Sequence, residues 1–172
     1  MPIDVKVDEQ MLQELLNFTK NVGKAVEKGV EAAVKSQAEN VKKQFRKRLE
    51  IGDVPGPPLS PGWLERKREL GLDTRTLMRH GRDFGDSYFH NVVTRKLGDL
   101  GHFVGVLKGT PAYDINRNAS GKELTDVAED LELRWPLWAS LFRETWAAAP
   151  RVLEKHLIRE LDKICPGGVK RG

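Results

Sequence analysis

Residues 9–50 read EQMLQELLNFTKNVGKAVEKGVEAAVKSQAENVKKQFRKRLE, and nothing in this run forbids a helix. Leu12, Leu15, Leu16, Phe18, Val22 and Val26 recur at helical spacing and continue into Val30, Val34, Val41, Phe45 and Leu49. One slightly drifting apolar stripe over that length predicts a long amphipathic helix. Gly23 and Gly29 each weaken its middle by about 1 kcal/mol against Ala, so a break or bend is expected there. The helix exceeds the usual globular length, and such helices are commonly supported by a partner, here a neighbouring subunit.

The helix ends at Gly52, because DVPGPPLSPG at 53–62 is too rich in Pro and Gly for regular structure. Ser60 before Pro61 is a helix start, a capping side chain followed by a residue whose φ is already helical. A short helix from Trp63 to about Leu70 should stop at Gly71. Asp73 or Thr74 opens another through Leu77 and Met78 to about Phe84. Phe89, Val92 and Val93, then Phe103, Val104 and Val106, are β-type residues on either side of Gly98-Asp99-Leu100-Gly101. They predict an antiparallel hairpin with a four-residue turn.

Residues 109–119 read as a polar loop, and Ser120 with Glu123 as a capping box opening a helix through Leu124, Val127, Ala128 and Leu131. Leu137 to Ala148 is apolar nearly all round and is expected to be buried. Pro150 should bend or restart the helix, and Pro166-Gly167-Gly168 should end it. The expected fold is α+β in a single domain. It comprises a long N-terminal helix (1–52), a loop with short helices (53–87), a small antiparallel hairpin (88–107), a loop (108–121) and C-terminal helices packed on the sheet (122–165).

Composition narrows the function classes. The chain has 172 residues, 39% hydrophobic and 31% charged, with a net charge of +4 from 29 basic and 25 acidic residues. This is a folded, well-solvated composition, and so mild a basic excess permits nucleic-acid contact without arguing for it. The single cysteine, Cys165, rules out an internal disulfide framework. The first residues carry acidic groups and no apolar run, and no segment approaches the roughly 18 apolar residues a membrane span needs. A soluble protein is expected, with no membrane partner.

Catalytic signatures are missing: the sequence contains no GxSxG, GxxxxGK[ST], GxGxxG or HExxH. His80, His90, His102 and His156 lie in different segments, none at metal-binding spacing from another. Asp86, Ser87 and His90 match no known nucleophilic arrangement. No enzyme, metal or cofactor is expected. Lys42, Lys43, Arg46, Lys47 and Arg48 put five positive charges into seven residues. They read as a solvated helix end, where cations favour the negative pole of the helix dipole. The alternative is a phosphate-contacting patch on a basic helical nucleic-acid-binding module.

The order of segments carries a resemblance. LSPGWLERKRELGLDTRTLMRHGRDFGDSYFHNVV, at 59–93, resembles a basic helix leading to a "TLxxTGxLxxSi" turn and a first strand, with Thr76, Leu77, Gly81, Phe84 and Ser87 at the matching positions. HFVGVL at 102–107 resembles the following strand. Leu124 to Trp138, with Val127, Ala128, Glu132, Arg134, Pro136 and Trp138, resembles "xxAxxxEfGxxxxRPfw". His80 replaces the usual Thr before Gly81, the Gly expected after Glu132 is missing, and Trp135 is inserted before Pro136. Over most of its length the chain resembles the tail-completion and virion-morphogenesis family of tailed bacteriophages, the head–tail joining and minor tail proteins.

The resemblance implies a non-enzymatic virion protein of the tail or neck, assembled in the host cytoplasm. It implies a homo-oligomeric ring, a hexamer if it follows tail symmetry. The implied neighbours are the tail tube or tail terminator protein on one side and the head completion or connector protein on the other. Trp138, Phe142 and Trp146 are the candidate subunit contacts, since clustered aromatic anchors often carry much of an interface's energy.

Overall fold

The structure, a computed structural model, describes residues 9–72, 74, 91–113 and 119–165. The expected helix after Asp73, the start of the first strand before 91, and the residues Asp86, Ser87 and His90 lie outside the described residues, as do His80 and the tail from Pro166.

The first element, α1, is one uninterrupted helix, Glu9–Ile51, 43 residues long. At 1.5 Å per residue it spans about 65 Å. Neither glycine breaks it. Its buried positions are Ala25, Gly29, Ala33, Ala38, Val41, Phe45 and Leu49. In its middle the covered line therefore runs through the small residues beside Val26, Val30 and Val34, not through those valines. The reason is a close crossing by the last helix: a Cβ built on Gly29 would lie 2.9 Å from Leu157 Cδ2 and 3.2 Å from Leu157 Cα. Gly29 is spent on helix approach, and the expected break does not occur.

Gly52, at φ 75°, stops α1, and Asp53 N–H donates back to the Arg48 carbonyl at 2.9 Å. The Pro-rich loop leads to α2, Pro61–Glu69, where Ser60 Oγ accepts from Trp63 N–H at 3.3 Å and Pro61 opens the first turn, as the sequence predicts. Gly71, at φ 65°, closes it.

Two small antiparallel sheets follow. In the first, β1, Val93–Leu97, pairs with β2, Gly101–Gly105, with Thr94 opposite Val104 and Lys96 opposite His102. Leu97 pairs with Gly101, so the turn is 98–100, one residue shorter than expected, with Gly98 at φ 59°. The segment expected to be a polar loop forms part of the second sheet: β3, Pro111–Tyr113, pairs with β4, Ala119–Glu123. Ser120 is therefore a strand residue, and the capping box moves three residues on. Glu123 is the N-cap of α3, Leu124–Arg134, its N–H donating to Asp126 Oδ2 at 3.3 Å. The Glu123 carboxylate also accepts from Gly109 N–H at 3.0 Å, tying the cap to the turn before β3.

Trp135 and Pro136 separate α3 from α4, Leu137–Leu161. Glu132 caps this new helix from outside, accepting from Trp138 N–H at 3.1 Å and Ala139 N–H at 3.0 Å. Pro150 lies inside α4, which continues past it. The expected restart does not occur, because the packing of Gln37 on Thr145 and of Gly29 on Leu157 holds both sides of the proline to α1. The core gathers Phe45 and Leu49 of α1, Val92, Val106, Ala112, Leu124 and Trp135, and Leu137 and Leu141 of α4. The fold is α+β and mostly helical, with the long helix, the hairpin and the C-terminal helices that the sequence pattern predicts and a second small sheet that it does not. Its largest contact is the antiparallel pair α1–α4.

Candidate functional site

Three features stand out on the surface. The first is the beginning of α1. Residues 9–21 are all exposed, and Met11, Leu12, Leu15, Leu16 and Phe18 expose large apolar side chains, Leu15 at 60% and Leu16 at 56%. Helix packing against the rest of the chain starts at Ala25. The helix thus projects about 24 Å beyond the body at 1.5 Å per residue.

The second is a groove of about 540 Å³ along the α1–α4 pair. Val30, Val34 and Val41 of α1 line one side, and Phe142, Trp146 and Leu153 of α4 the other. His102 and Val104 of β2 close its third side. Its size is that of a small-molecule or helix-docking cleft. Val30 and Val34, which α4 bypasses in favour of Gly29 and Ala33, stand half-buried along this wall. Gln37 Nε2 donates to the Thr145 carbonyl across the helix pair. Gln37 Oε1 and His102 Nδ1 are buried in the wall with no partner among the described residues.

The third is a set of polar ties that fix the walls. Arg48 reaches α4, donating to Ser140 Oγ at 3.1 Å and pairing with Glu144, and lies 3.8 Å from Asp53. Lys96 of β1 pairs with Glu31, and Thr94 donates to Glu39, so the hairpin is held on α1 beside the groove. The hydrogen bond from Lys96 holds the Glu31 carboxyl below its ordinary range, and Glu31 raises Lys96 in turn.

The candidate contact residues separate into three environments. Trp138 stacks on Phe45, with ring centroids 4.2 Å apart and planes 12° from parallel, and belongs with the core. Phe142 stands at the rim, 51% exposed and 6.2 Å from the Trp138 ring. Trp146 is 78% exposed. The expectation that Leu137 to Ala148 would be buried all round is corrected. Leu137, Leu141 and Thr145 face inward at a four-residue spacing, and the opposite face is open.

The basic run also divides. Lys43 and Lys47 are exposed, Lys42 and Arg46 half-buried, and Arg48 is committed to Glu144 and Asp53. Arg48 is thus withdrawn from the run toward α4, and Lys43 and Lys47 are its exposed members.

Trp135, which departs from the resemblance's pattern, turns out to be structural. Its Nε1–H donates to the Pro57 carbonyl at 2.6 Å, and a Cβ on Gly56 would lie 2.4 Å from its Cδ1. The adjacent Gly56-Pro57 and Trp135-Pro136 were the available signal. Among the described residues no three His, Cys, Asp or Glu side chains cluster as a metal site, and no helix is long and apolar enough to cross a membrane.

The chain matches no protein-family model, no curated protein and no solved structure. Its functional reading rests on its motifs and on the surfaces just described.

Proposed function

We propose that the chain is a structural virion protein, a tail-completion or neck adaptor whose copies assemble into a ring joining the tail tube to the head connector. The observation that carries this reading is the projecting start of α1. Exposed Met, Leu and Phe side chains clustered along one segment mark a surface that another molecule covers. The motif order of the sequence, which resembles that of tail-completion proteins, supports a tail or neck assembly as the source of that molecule. The mechanism is surface complementarity and order of addition, with no chemical step. Copies that join through unlike surfaces close into a ring when the rotation between them permits it. The proposed neighbours are the tail tube or terminator protein on one face and the head completion or connector protein on the other.

Imaging tests the reading directly. The purified protein is expected to form rings alone or on tails, and particles made without it should accumulate as separate heads and tails. A chain that stays single at high concentration and leaves head–tail joining intact when deleted would sink the proposal.

A further inference from the structure

The projecting helix and the groove are two apolar surfaces on one chain, and their dimensions agree. From Leu12 to Val22 the stripe covers about 15 Å, and from Phe142 to Leu153 the groove wall covers about 16 Å, both at 1.5 Å per residue. Their charges agree as well. From Glu9 to Val22 the projecting segment carries Glu9 and Glu14 against Lys20, a mild acidic excess. The helix segments that line the groove, 30–41 of α1 and 142–153 of α4, contain the ion-paired Glu31 and Glu144. Apart from those two they carry Lys35, Arg143 and Arg151 against Glu39. A mildly acidic amphipathic helix thus meets an apolar cleft whose two helix segments carry a basic excess, a complementarity that suits helix-in-groove docking. The projection cannot reach its own groove, because α1 runs without a break from Glu9 through Val30.

We propose that the groove between α1 and α4 receives the first turns of α1 from a second copy of this chain, with Leu12, Leu15 and Leu16 of one copy seated against Trp146, Phe142 and Val34 of the next. The inference rests on the assembly reading above and supplies its contact. The two surfaces are unlike, so each copy has one of each free to continue the chain of contacts.

Mixed variants of the full chain test it. Leu15→Glu with Leu16→Glu spoils the stripe and leaves the groove, whereas Trp146→Glu spoils the groove and leaves the stripe. All three positions are exposed, so circular dichroism is expected to show the native fold in each variant. By light scattering each variant alone should lose higher assemblies and run as a single 19.4 kDa chain. Mixed in equal amounts, they should pair into a two-chain species and grow no further. A stripe variant that assembles like the unchanged protein overturns the docking, as does a mixture that stays single. If the unchanged protein stops at closed pairs through this contact, the docking stands and the neck ring falls. Rings that survive both variants leave the ring standing and remove the docking.

Discussion

Gly23→Ala and Gly29→Ala make the same chemical change in one helix and should have opposite effects. In a helix interior Ala is favoured over Gly by about 1 kcal/mol. At Gly23 an added Cβ meets nothing within 4 Å, so that gain should appear nearly whole. At Gly29 the Cβ would meet Leu157 Cδ2 at 2.9 Å, Leu157 Cα at 3.2 Å and the His156 carbonyl at 3.4 Å. The methyl can rotate away, but the Cα and the carbonyl are main chain and move only if α4 moves. Overpacking of this kind costs about 1–3 kcal/mol, which offsets the propensity gain and exceeds it at the upper end. The two variants should therefore differ by about 1–3 kcal/mol, with Gly23→Ala the more stable. For a chain of this size that is a gap of about 2–12 °C in Tm. The assay is thermal and urea unfolding followed by circular dichroism, run on the Leu15→Glu, Leu16→Glu background to remove self-association. A Gly29→Ala protein that melts at or above Gly23→Ala would show that α1 and α4 do not cross closely at Gly29.

Three further outcomes follow from the same contacts. Trp138→Ala removes the ring stacked on Phe45 and should destabilise by about 3 kcal/mol in urea unfolding, whereas Trp146→Ala should leave stability within about 0.5 kcal/mol and weaken self-association. Equal losses of stability would place Trp146 in the core and end its interface assignment. Changing Lys43, Arg46 and Lys47 to Gln is expected to leave folding and assembly nearly intact; tight duplex binding that falls steeply with salt and disappears in this variant would promote the nucleic-acid reading instead. Glu31, lowered by its hydrogen bond from Lys96, contributes stability above the ordinary carboxylate range and loses it as pH falls through the lowered value. Lys96, raised, contributes below the ordinary amine range and loses it as pH rises through the raised value. Carbon-detected NMR titration should find Glu31 protonating at lower pH than a free carboxyl, and a Glu31 that titrates like a free side chain refutes the tie.

The long helix was legible because its apolar positions repeat over many turns, a signal too long to arise from a short strand or loop. Where the reading failed, local pattern lost to tertiary contact. Gly29 reads as a weak point in any isolated helix, and only the arrival of Leu157 makes it a requirement. ASGKE at 119–123 has little β character, and Ser120 with Glu123 imitates a helix start. Pairing with β3 claims those residues, and Glu123 with Asp126 supplies the cap instead. The C-terminal helix looked buried all round because apolar residues occupy both faces. Sequence alone does not distinguish a face covered by its own chain, such as Leu137 and Leu141, from one left open, such as Phe142 and Trp146. For the same reason the groove was invisible: it exists only where α4 follows the small residues of α1 and leaves Val30 and Val34 beside them half-covered.

The latch between the Pro-rich loop and Trp135 has a consequence for the order of synthesis. Trp135 Nε1–H reaches back 78 residues to the Pro57 carbonyl, and Trp138 reaches further, to Phe45. A helix such as α1 forms from local contacts within microseconds, but contacts this distant in sequence form late and slow folding. On the ribosome the first third of the chain therefore waits as a helix with Phe45 and Leu49 uncovered, until the residues near 141 have emerged. The groove has no second wall before that moment. On the docking proposed above, a half-made chain offers its projecting stripe but cannot receive another's, so growth of the proposed assembly must wait for completed molecules.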